Sequence, residues 1–95
     1  MPTISLPDHS ELVYLDENRS AGRAVLLLHG LGATSDSWAL QLPALTAAGW
    51  RILAADTPGF GRSRAARPFH SIAAMAAFIP ALLDHLRLPK ISLVG

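Results

Sequence analysis

Three short motifs in this chain carry residues that could do chemistry. His29-Gly30-Leu31-Gly32 follows one apolar run, and Asp56-Thr57-Pro58-Gly59-Phe60-Gly61-Arg62-Ser63 follows another. The third, Ile91-Ser92-Leu93-Val94, runs into Gly95. A short apolar strand ending in glycine is how the turn G-x-S-x-G begins, which lifts a serine off a strand end. The chemistry is then nucleophilic: a hydroxyl attacks a carbonyl, and backbone N–H groups meet the charge growing on oxygen. That serine belongs two positions past Gly95, so the expectation is a segment that stops just before its nucleophile.

Other arrangements fail on geometry. Gly61-Arg62-Ser63-Arg64-Ala65 is one residue short of the same turn. Pro58-Gly59 stands where an apolar strand is needed, and Arg67-Pro68 stands where a helix must start. Asp84-His85 supplies an acid and a base, but helix neighbours point about 100° apart and cannot pair. His9, His29, His70 and His85 show neither H-x-H nor H-x-x-x-H spacing, so no metal site is expected. They read as packing and hydrogen-bonding residues, with His29 shaping the turn after its strand. Asp56, at a strand end before Thr57-Pro58-Gly59, reads as an Asx-type acceptor for turn N–H groups. Gly59 and Gly61 supply unusual dihedrals around Phe60, and Arg62 and Ser63 tie the loop down.

The elements that must position these motifs are legible in outline. Ile4-Ser5-Leu6 and Leu12-Val13-Tyr14-Leu15 read as short strands around the turn Pro7-Asp8-His9-Ser10. Ala24-Val25-Leu26-Leu27-Leu28 is apolar on both faces, as the buried middle of a parallel sheet requires. A helical stretch from Ser37 to Ala48 places Trp38, Leu42 and Leu45 on one face, and Gly49 stops it. Pro43 divides that stretch into a first turn and a helix starting near the proline. Trp50 to Ala55 is the next strand. Ser71 then caps a helix whose stripe is Ile72, Met75, Ala76, Ile79, Leu82, Leu83 and Leu86. Pro80 is expected to kink it, at about 3 kcal/mol in an ideal helix. Leu88-Pro89 ends the helix and Ile91 to Val94 is the last strand. Strand, helix, strand, helix, strand from Ala24 onward predicts an α/β fold: a doubly wound, mostly parallel sheet after an N-terminal hairpin.

Taken together, Leu26-Leu27-Leu28-His29-Gly30, the helix entered through Trp38, Asp56…Pro58-Gly59-Phe60-Gly61…Ser63, and Leu93-Val94-Gly95 resemble the α/β-hydrolase superfamily. The resemblance spans the chain and implies that residues 1–95 are the N-terminal part of one incomplete hydrolase domain. It makes Leu31 the donor of one oxyanion-hole N–H, with the second donor after the nucleophile. Gly30 and Gly32 would let the backbone turn sharply and approach substrate with no Cβ in the way. Gly30, Leu31 and Gly32 are thus the substrate-binding positions. His29, Asp56, Pro58, Gly59, Gly61, Ser63 and Gly95 are the structural motif. The resemblance implies catalysis by a nucleophile, a histidine base and an acid that all lie beyond residue 95. It calls for no metal and no cofactor, and it favours an ester, lactone or thioester as substrate. An epoxide hydrolase would have proline where Gly32 stands, and a haloalkane dehalogenase asparagine where Leu31 stands. In the family's strand order, Ile91 to Val94 lies beside a strand this chain lacks, so residues 1–95 alone should be poorly stable and inactive.

Composition bounds the partners. The chain has 95 residues, 51% hydrophobic and 16% charged, with net charge +1, which suits one small globular core. So small a charge gives no electrostatic reason for nucleic acid or an anionic membrane. Arg62, Arg64 and Arg67 cluster without interleaved aromatics, as a solvated loop does. There is no cysteine for disulfides, thiol catalysis or Cys-ligated zinc. Met1-Pro2-Thr3 leads into a strand without a basic or apolar leader, so a cytoplasmic location is expected. Two other functions compete. Gly30-Leu31-Gly32-Ala33-Thr34-Ser35 followed by Asp56 forms most of a dinucleotide-binding fingerprint, but Ser35 replaces its third glycine. The other is a non-catalytic, hydrolase-like protein that binds or scaffolds.

Overall fold

Apolar runs without alternation need cover on both faces, and two such runs lie side by side in the sheet. The computed structural model describes residues 1–30, 32–66 and 72–95, Ile72 by its backbone alone. The expectations placed on Leu31 and on Ser71 as a helix cap lie outside the described residues.

The described strands are β1 (Thr3–Ser5), β2 (Glu11–Glu17), β3 (Arg23–Leu28), β4 (Trp50–Ala55) and β5 (Ser92–Val94). They form one sheet in the order β1-β2-β4-β3-β5. The hairpin β1–β2 is antiparallel, and β2 runs antiparallel to β4 with Tyr14 opposite Ala55. β3 is parallel to both neighbours, with Leu28 opposite Ala55 on one side and Leu26 opposite Leu93 on the other. β2 is longer than its apolar pattern indicates, because Asp16 and Glu17 stay in register with Leu53 and Ile52.

The helices divide between the two faces, which makes the sheet doubly wound. A 3₁₀ turn, Ser35–Trp38, precedes α1 (Leu42–Ala47), with Pro43 in the first turn of that helix. A proline there gives up an N–H that has no partner in the helix. Trp38, Leu42 and Leu45 pack on Val25, Leu27, Ile52 and Ala54, one face of the central strands. The alternate residues Leu26, Leu53 and Ala55 face Phe78 and Leu82 across the sheet, with Leu12 and Tyr14 from the hairpin. Burying each large side chain in these clusters contributes about 1.5–3 kcal/mol.

The helix expected to run through Pro80 is two helices. α2 (Ile72–Ala76) stops, and α3 (Phe78–Leu86) starts with Ala77 as its cap. Pro80 therefore sits in the first turn of α3, where its missing N–H costs little, rather than in a helix interior. The break also resets the phase of the stripe. Phe78, absent from the expected face, is buried, while Ala76 is exposed. Arg87 closes α3 in the left-handed region at φ 57°, and Leu88 donates to the Leu83 carbonyl at 2.9 Å.

Candidate active site

The chain leaves β3 to form β4 on one side and returns to form β5 on the other. A crevice opens at such a reversal, beyond the carboxyl ends of the strands, and ligands of open α/β sheets bind there. His29 and Gly30 stand at that end of β3, with Asp56 and Thr57 at that end of β4.

Asp56 joins the two loops. Its side chain is fully buried. Oδ1 accepts the Ser35 amide at 2.7 Å, and Oδ2 accepts the Arg62 amide at 2.9 Å. The Arg62 guanidinium reaches the same Oδ2 at 3.4 Å and continues to Asp36 at 3.1 Å. Burial alone would raise the carboxyl pKa, but the amide donors and the Arg62 charge outweigh it, and Asp56 titrates below its ordinary value. The expected local Asx turn is therefore a longer tie. Its donors come from six residues downstream and from the loop after β3.

Gly61 exists for this carboxylate. At φ +52°, a Cβ at position 61 would lie 2.6 Å from Asp56 Oδ2 and 3.0 Å from Thr34 Cγ2. Gly59 is also left-handed, at φ +91°. Ser63 is buried, and its hydroxyl accepts the Val13 amide at 2.7 Å. Glu11 and Arg64 exchange backbone hydrogen bonds at 2.8 and 2.9 Å, and Ala66 donates to Ser10 Oγ at 2.9 Å. The loop after β4 is thus laced to the N-terminal hairpin. Ser63 and the Asp84-His85 pair are not brought together as a triad: Ser63 holds β2, while Asp84 and His85 are exposed on α3.

His29 ties the same loops from the other side. Its Nε2 accepts the Thr57 amide at 2.9 Å, so that nitrogen carries no proton. The neutral ring then holds its proton on Nδ1, which donates to the Gly30 carbonyl at 2.8 Å. The same carbonyl accepts the Ala33 amide at 3.1 Å, closing a turn. Phe60 stands edge-on to the imidazole at 5.7 Å between centroids. Gly32 takes φ +77°, while Gly30 has open space where a Cβ would be.

Beside this turn lies a recess of about 210 Å³, walled by Leu28, His29, Thr57, Phe60, Phe78 and Ile79. Phe60 and Phe78 were not among the expected site residues. Phe60 had a signal, an aromatic between two glycines in a strand-end loop, whereas Phe78 was hidden by the helix break. Among the described residues, no three His, Asp or Glu side chains gather as a metal site. Gly95 follows β5, the strand beside β3.

Residues 23–95 match the family of the alpha/beta hydrolase fold. The chain belongs to that family. It is 35% identical over 95 residues to a non-heme haloperoxidase of Rhodococcus erythropolis, covering all of this chain and 34% of the relative. It is 40% identical over 82 residues to a haloalkane dehalogenase of Psychrobacter cryohalolentis, covering 84% of this chain and 27% of the relative. Its fold superposes on the crystal structure of an enol-lactonase from Burkholderia xenovorans with TM-score 0.86 at 26% identity, covering 97% of this chain and 35% of that one. The chain thus spans about a third or less of these relatives.

The dinucleotide reading loses its premise within this hydrolase fold. A ribose hydroxyl needs a free carboxylate, and both oxygens of Asp56 are occupied inside the protein. The glycine loop opens onto a 3₁₀ turn and a six-residue helix, not the long helix whose N-terminus holds a pyrophosphate. Of the clustered arginines, Arg62 is paired with Asp36 and Asp56, and Arg64 with Glu11. Arg67 lies outside the described residues. No described helix is long and apolar enough to cross a membrane.

Proposed function

We propose that this chain is the N-terminal part of a single hydrolase domain that cleaves a small ester, lactone or thioester. The observation that carries the reading is the glycine turn at the carboxyl end of β3, which adjoins an apolar recess at the point of reversal. In this reading the Leu31 backbone N–H is one oxyanion donor, and Gly30, Leu31 and Gly32 face the substrate. The nucleophile, its histidine base and the acid come from beyond residue 95. A serine hydroxyl attacks the carbonyl and passes its proton to the histidine. The oxyanion collapses, the leaving group departs with that proton, and water hydrolyses the acyl-enzyme. The recess accommodates the apolar part of the substrate.

One relative weighs on the identity of the nucleophile: it is a haloalkane dehalogenase, but Leu31 stands where such an enzyme has asparagine, which supports the ester reading. The test is hydrolysis of short p-nitrophenyl esters and lactones by the whole protein, with a fluorophosphonate as label. Serine labelling with loss of turnover is expected, while halide release without labelling would replace the proposal with dehalogenase chemistry. Residues 1–95 alone should show no turnover above background; fluorophosphonate-sensitive hydrolysis by them would place the triad inside this segment. Removing the donor by Leu31→Pro should cut kcat by about 10²–10³, the usual cost of one oxyanion donor.

A further inference from the structure

A second recess, of about 150 Å³, adjoins the one at the end of β3. Leu6, Pro7, Pro58 and Ala74 wall it together with Met75 and Phe78, and those last two also wall the first recess. The two spaces thus stand on either side of one pair of side chains. Thr57 borders the first, and the next residue, Pro58, borders the second. Among the described wall residues of the second recess only Asp8 is charged, and its carboxylate accepts the Ser10 amide at 2.9 Å. The two partition residues differ in freedom. Phe78 is buried in the core cluster with Leu82, which fixes it. Met75 is half-buried on the short helix α2, and a methionine turns about three side-chain bonds and fills irregular gaps.

We infer that Met75 is a specificity-determining partition, which turns aside to let an unbranched acyl chain run from the first recess into the second. The inference rests on the proposed hydrolase reading and narrows its substrates to esters or thioesters of straight-chain acids. A compact or branched acyl group fills the first recess and stops at the partition. An unbranched chain is thin enough to pass one displaced side chain and long enough to lie in both spaces. The walls beyond Met75 are apolar, so the part of the substrate that reaches them is hydrocarbon.

The test is the chain-length profile of p-nitrophenyl acetate, butyrate, hexanoate, octanoate and decanoate with the whole protein. The ratio kcat/KM should climb by up to about fourfold per CH₂ and keep climbing through the octanoate. Met75→Ile keeps volume and apolarity, but its branch at Cβ stiffens the side chain and holds the partition shut. It should cut the preference for octanoate over butyrate, measured by kcat/KM, about tenfold or more. A profile that peaks at acetate or butyrate, or an unchanged preference in Met75→Ile, would overturn the inference. Methyl NMR of the unaltered protein gives a second answer without turnover, with 1-octanol as the probe. Ile79 lines the first recess and Leu6 the second, so the methyl signals of both should shift with one apparent Kd. A silent Leu6, or two different affinities, would also overturn the inference. If the unaltered protein hydrolyses nothing and resists the fluorophosphonate, the hydrolase proposal fails, while the methyl shifts still decide whether one chain spans both recesses.

Discussion

A single methyl group separates a working loop from a broken one at position 61. Gly61→Ala must adopt a left-handed backbone and place its Cβ 2.6 Å from a buried carboxylate oxygen. Neither the carboxylate nor the glycine can yield without breaking the amide bonds to Ser35 and Arg62. The expected loss is about 2–4 kcal/mol, read as a lowered urea midpoint. Asp56→Asn keeps the shape but offers one acceptor oxygen where two are used, and should cost about 1–3 kcal/mol. The pH dependence follows from the sign of the shift. The folded pKa of Asp56 lies below its ordinary 3.8, so its stabilisation is complete above the unfolded value. It is lost as the pH falls through 3.8 toward the lower folded value. Urea midpoints of the native protein should therefore drop through that window, and those of Asp56→Asn should drop less. At this scale the sequence was informative about residue types and silent about partners. Asp56, Gly61 and Ser63 stood out by their place after a strand. The partners Ser35 and Val13 lie 21 and 50 residues away, and no local pattern encodes such a distance.

The elements repeat this division. β3 and β4 were legible because runs of five and four successive apolar residues, 24–28 and 52–55, have few other places to go. The 3₁₀ turn and α1 were legible because Pro43 admits only one kind of interruption. The break at Ala77 was not, since Ala73-Ala74-Met75-Ala76-Ala77 favours helix at every position and names no stopping point. Tertiary packing decides it: with the break at Ala77, Phe78 lies in the core cluster with Leu82. Two substitutions test this arrangement. Pro80→Ala should change the thermal stability by less than about 1 kcal/mol, because the proline occupies a first turn; a gain near 3 kcal/mol would restore the single kinked helix. Leu82→Ala should cost about 2–5 kcal/mol, as expected of a side chain with no exposed surface.

At the scale of the molecule, the sheet is sealed on one side of its centre and open on the other. β4 is flanked by β2 and β3, whereas β5 pairs with β3 alone among the described residues. Leu93 is 55% exposed and Val94 43%, which is unusual for apolar residues next to the central strand. An uncovered apolar edge invites pairing with other chains. Residues 1–95 on their own should self-associate at micromolar concentration, and Leu93→Lys should reduce that association; light scattering reads both. A monomer that melts cooperatively would contradict this view of the edge. The strand order also constrains the timing of assembly. β2 finds its partner not in the next strand of the chain but in β4, and Ser10, Glu11 and Val13 wait for residues 63–66. On a ribosome the first hairpin therefore emerges with one flank bare. It stays bare until β4 has been made, some forty residues on, as the pairing of Tyr14 with Ala55 requires, and the bond from Val13 to Ser63 waits for some fifty.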